Sequence, residues 1–171
     1  MRNQAGKWAV GGVIALACAM TGGVMAQNLS EKHFSQASNP DATRSAVLTS
    51  AIVEISIQHT GSGPQYGAVL KADGTATFAG IQNAPRQGEF AGTVTAAAFQ
   101  TLADQAVQIG YVNFKNTYKA SKMDLPSVYT AVKTASGEKV VLNYGGKGPA
   151  ELAAFEAAID QALERISWAQ R

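Results

Sequence analysis

A chain of 171 residues with 46% apolar and 15% charged side chains is long enough to bury the core of one ordinary domain. Its formal charge of +2 comes from Arg2 and Lys7; without them the 14 Lys and Arg fall into balance with 12 Asp and Glu. That balance excludes the clustered basic surplus of a nucleic-acid binder, and a single cysteine, Cys18, excludes a disulfide framework or thiolate metal site downstream.

Residues 1–26 carry two basic side chains, an apolar run from Trp8 to about Met20, and the small-residue ending Val24-Met25-Ala26. This is the order of a cleaved signal peptide, and it predicts a chain starting at Gln27 in the periplasm or outside the cell. The apolar run is about a dozen residues, short of the ~20 that a membrane span needs. The competing reading takes Ala15-Leu16-Ala17-Cys18 as a degenerate lipobox, with cleavage before Cys18 leaving it as a lipidated first residue. Residues 27–50 are polar and contain Pro40, which predicts a flexible lead-in to one domain over residues 51–171.

The domain is predicted to open with a strand through Ile52-Val53-Glu54-Ile55-Ser56-Ile57-Gln58-His59, where Val53, Ile55, Ile57 and His59 alternate onto one face. After Gly61-Ser62-Gly63-Pro64, a hairpin pairs Tyr66–Lys71 with Thr75–Ala79 around Asp73-Gly74, and a fourth strand runs through Glu89-Phe90-Ala91. A helix capped by Thr95 ends before Gly110 with Phe99, Leu102, Ala106 and Ile109 on one stripe. A loop containing Tyr111, Phe114, Tyr118 and Asp124-Leu125-Pro126 precedes a second hairpin, Val128–Thr134 with Lys139–Tyr144. Pro149 starts the last helix, whose apolar stripe is Leu152, Phe155, Ile159, Leu163 and Ile166.

Tyr66–Gly74 and Tyr129–Gly137 agree at five of nine positions, which raises the option of two ββα units. The predicted fold is α+β: an antiparallel sheet of about six strands in two hairpin-plus-helix units, with both helices on one face.

Gly61-Ser-Gly-Pro-Gln-Tyr66, Asp73-Gly74, Asp124-Leu-Pro126, Pro149 and Trp168 follow one another in the order of a G-x-C-P-x-Y, D-G, Asp-x-Pro and Pro-started-helix pattern. In this the chain resembles a family of bacterial exported proteins classed as domain of unknown function 6438, over about residues 51 to 169. The resemblance implies this fold and export, and implies no mechanism. Gly63 stands where the family pattern has Cys, so a thiol role is absent here.

Chemistry-bearing residues are sparse. His33 falls in the lead-in, and His59 ends a strand beside Thr60, with Ser62 nearby and Asp73 or Asp124 as conceivable orienters; no G-x-S-x-G elbow is present. The two histidines lack metal-motif spacing. Gly145-Gly146-Lys147-Gly148-Pro149 leads into a helix N-terminus, a place for an anion, yet lacks the phosphate-loop spacing. Tyr66, Tyr111, Phe114, Tyr118, Tyr129 and Tyr144 could line a groove for a carbohydrate or peptide, or simply pack. The sequence therefore favours a non-catalytic exported envelope module, without cofactor, that binds a protein or polymeric partner through loop residues Phe114, Tyr118 and Asp124. The alternative is a small hydrolase using His59 and a carboxylate.

Overall fold

The computed structural model describes residues 51–171, so the leader with Cys18, the lead-in and His33 lie outside the described residues. In chain order the elements are β1 (Ile52–Thr60), β2 (Gln65–Lys71), β3 (Thr75–Gln82), β4 (Gly88–Thr93), α1 (Ala96–Gln108), a 3-10 turn (Tyr111–Asn113), β5 (Thr117–Lys119), β6 (Ser127–Thr134), β7 (Gly137–Tyr144), α2 (Ala150–Glu164) and β8 (Trp168–Gln170). Among the described residues the strands form one sheet of eight, ordered β5-β7-β6-β1-β2-β3-β4-β8. Every pairing is antiparallel except that of β5 with β7. The fold is α+β.

Local chemistry explains the element boundaries. At the β2–β3 turn Gly74 takes φ +89°, open to a residue without a Cβ, while the Asp73 carboxylate accepts from the Thr75 amide at 2.8 Å and hydroxyl at 2.7 Å. These bonds hold the Asp73 carboxyl below the usual range. Thr95 caps α1 by accepting from the Ala98 amide at 3.2 Å, and Gly110 ends it in the left-handed region. Pro149 is the N-cap of α2, one position before the first helical residue, and Glu151 lies in the first turn beside the positive end of the dipole.

Both helices join one core with one face of the sheet. Phe99, Leu102, Ala103 and Ala106 of α1 and Leu152, Phe155, Ile159 and Leu163 of α2 meet Ile55, Ile57, Leu70 and Phe78. Each large side chain so buried contributes roughly 1.5–3 kcal/mol. Tyr111, 1% exposed, donates its hydroxyl to the Thr130 carbonyl oxygen at 2.7 Å, so it is a core residue and no part of an open loop. Trp168 of β8 donates its indole N–H to the Leu163 carbonyl oxygen at 3.0 Å and ties the last strand to α2.

Three further sequence expectations change. The strand count is eight, because β5 and β8 have three residues each and are too short to show an alternating pattern. A register shift between Ile52 and Glu54 buries Ile52 and turns Val53 out, 41% exposed, off the face that Ile55 and Ile57 share. The hairpins do not form two separate units. β2 and β6 flank the same strand, β1, and the matching tyrosines face opposite sides: Tyr66 is buried under the helices and Tyr129 lies on the open face.

Candidate functional site

Among the described residues, the helix side at the end of β1 carries the one polar cluster built around a histidine. His59 and Tyr66, opposite each other on β1 and β2, stack with ring centroids 4.5 Å apart. Asp160, on α2 above them, places Oδ1 2.8 Å from the Tyr66 hydroxyl and Oδ2 3.2 Å from His59 Nε2. One turn earlier Glu156 is 7% exposed; its Oε2 accepts from Asn143 Nδ2 at 2.9 Å, while Oε1 is buried with no partner. Burial pushes the Glu156 carboxyl up to about 7, with Asp160 adding to the rise and Asn143 and His59 opposing it. Burial, followed by the Asp160 hydrogen bond, drives the Tyr66 phenol well above its usual range.

Except for Glu156 Oε1, this arrangement spends its polar groups on one another. Tyr66 donates to a carboxylate and is held protonated, so it offers neither a base nor a nucleophile at neutral pH. Ser62 donates to the Asp124 carbonyl oxygen at 2.8 Å and makes no bond to His59. Among the described residues no three His, Cys, Asp or Glu side chains gather as a metal site.

The remaining sequence candidates are dispersed. Phe114 and Tyr118 continue edge-to-face from Tyr111, with centroids 5.9 and 6.4 Å apart, and both are half-buried. Asp124 is outside that ladder, exposed at φ +57°, and Asp73 is spent on its own turn. Tyr144 donates to the Lys122 carbonyl oxygen at 2.9 Å and accepts from the Leu125 amide at 3.3 Å, bracing the 120–126 loop. The six aromatics therefore line no common groove. In the Gly145–Pro149 loop the Gly148 amide already donates to Asn143 Oδ1 at 2.8 Å, which removes a donor from the anion reading. Gly63 is exposed, and a side chain there would meet nothing within 4 Å, so the missing thiol leaves no gap in the core.

Among the described residues the opposite sheet face carries no helix. There a trough of about 540 Å³ crosses β7, β6, β1, β2, β3 and β4. Strand register builds it in two rows: Val140-Ala131-Ser56-Val69-Thr77-Ala91, and Leu142-Tyr129-Gln58-Gly67-Ala79-Glu89. Small side chains make the floor, Tyr129 and Val140 (38% and 43% exposed) stand at one end, and Glu89 and Arg171 at the other. Beyond the first row, Glu138, Lys133, Glu54 and Lys71 alternate in sign across four strands, with Lys71 Nζ 3.9 Å from Glu54 Oε2.

Sequence reasoning missed Asp160, Glu156 and Asn143 in the first cluster and Ser56, Gln58, Thr77 and Glu89 on the open face. Glu156, Asp160 and Glu164 recur every fourth residue beside the apolar stripe of α2, a polar seam that periodicity can find. No helix among the described residues is long and apolar enough to cross a membrane. No curated protein and no solved structure matches the chain. The family model described as domain of unknown function (DUF6438) does match, over residues 54–163, from within β1 to near the end of α2, and the chain belongs to that family.

Proposed function

We propose that the protein is an exported, non-catalytic envelope module that holds a protein or polymeric partner on the open face of its sheet. The observation that supports this most is the contrast between the two faces. Apart from Glu156 Oε1, the polar groups of the His59 cluster bond to one another, whereas the trough gathers hydroxyls, an amide and the charged Glu89 and Arg171, with half-exposed Tyr129 and Val140, over a floor of small residues. Phe114 and Tyr118 enter this reading indirectly. Phe114 packs on Tyr111 and Tyr118 on Phe114, so their replacement acts first through the fold, while replacements on the open face act through the partner.

Site-specific photo-cross-linking in cells tests the reading. A cross-linker at Val140 should capture a discrete partner, lost when Thr77→Lys fills the trough, and one at Gln161 on α2 should not. Equal capture from both positions, or capture that Thr77→Lys leaves intact, overturns it.

The ion pair of His59 with Asp160 favours a second reading, a small hydrolase. A panel of esterase, phosphatase and glycosidase substrates decides: we expect no turnover that His59→Ala abolishes, since no hydroxyl among the described residues is hydrogen-bonded to the imidazole as a nucleophile.

A further inference from the structure

The open-face trough narrows the class of partner. Its backbone N–H and C=O groups are spent in the strand ladders, so a ligand finds only side chains there. Six polar side chains reach the trough: Ser56, Gln58, Thr77, Tyr129, Glu89 and Arg171. Among the described residues none of the six makes a side-chain hydrogen bond to another protein group. The middle of the face has no ionisable group, because the charged side chains stand at its margins and the Glu138-Lys133-Glu54-Lys71 row alternates in sign. The charge-complementary ligand is neutral.

Spacing carries the argument further. The trough crosses six strands, about 24 Å at the ~4.8 Å separation of neighbours in a sheet. An extended peptide repeats every ~3.3 Å and falls out of step with that separation, and its amides would have no ladder to join. An extended pyranose chain repeats at nearly the strand separation, so successive sugars meet successive strands. Its hydroxyls match Ser56, Gln58 and Thr77, and its C–H faces match Tyr129, Val69 and Val140.

We infer that the open-face trough binds an extended, neutral hexopyranose chain lying across the strands. This rests on the binding reading above and names the ligand class for it.

The test titrates the full chain with cellohexaose and with chitohexaose, following backbone amide shifts by NMR; heparin and a neutral Gly-Ser peptide serve as comparators. A neutral hexasaccharide should give saturable shifts in β1, β2, β3 and β6, and heparin and the peptide none. Tyr129→Ala should weaken binding about tenfold, as expected for losing one ring contact, and Thr77→Lys should abolish it while both variants keep the wild-type melting temperature. Gln161→Ala, on the helix side, should bind as wild type does.

Three results overturn the inference: no saturable binding of either hexasaccharide by natively folded chain, binding that Thr77→Lys leaves unchanged, or a dimer in light scattering that Thr77→Lys splits, which gives the face to a second copy. Cross-linking from Val140 reports separately on the broader reading, since a captured protein partner with no sugar binding removes the glycan and keeps the binding module.

Discussion

Glu156 concentrates the electrostatic cost of the domain in one carboxyl group. Its ordinary value is 4.5 and burial raises it to about 7, so the folded state holds the proton more tightly than the unfolded chain does. The associated stability is fully present below about pH 4.5 and is lost as the pH rises to and through 7, by at most about 3 kcal/mol. Thermal melts at pH 5 and pH 8 check this: wild type should melt lower at pH 8, and Glu156→Gln, which keeps an acceptor for Asn143, should remove most of the difference. His59 was legible in sequence as the lone histidine of residues 51–171. Its partner Asp160 lies 101 positions away, and no local pattern couples the two; only the packing of α2 across β1 and β2 does.

At the scale of elements, periodicity recovered what was long and amphipathic. All five residues of the predicted stripe, Leu152, Phe155, Ile159 and Leu163 in α2 and Ile166 just beyond it, are buried, so Leu163→Ala should destabilise the domain by about 2–5 kcal/mol in chemical denaturation, against a much smaller cost for His59→Ala. A neutral Leu163→Ala would contradict the packing of α2. Short strands stayed hidden because tertiary contacts make them. β8 pairs with β4 only where Gly92 lets Ile166 and Trp168 approach, since a Cβ on Gly92 would lie 2.5 Å from the Ile166 side chain. The trough was hidden for a related reason. Ser56, Gly67, Thr77 and Ala131 are ordinary polar-face strand residues one by one, and become a floor only when register sets them side by side.

For the whole molecule, the sequence predicts export, and mass spectrometry of protein from the periplasm or medium should find Gln27 at the N-terminus. An intact Met1 or a lipid on Cys18 would overturn that expectation. The position of β1 in the middle of the sheet has a consequence for how such a chain reaches its native state. β1 lies next to β2 in the chain, but its other neighbour in the sheet, β6, comes only at Ser127–Thr134, after α1 and β5. Until Ser127–Thr134 has emerged, β1 exposes an unpaired edge that can template misassembly. Completion of the sheet thus waits for the β6–β7 hairpin, and folding dominated by non-local pairing should run in milliseconds to seconds. Circular dichroism of a fragment ending at Gly110 should show no stable sheet, because its first strand would still be waiting for the β6–β7 hairpin that has not been made.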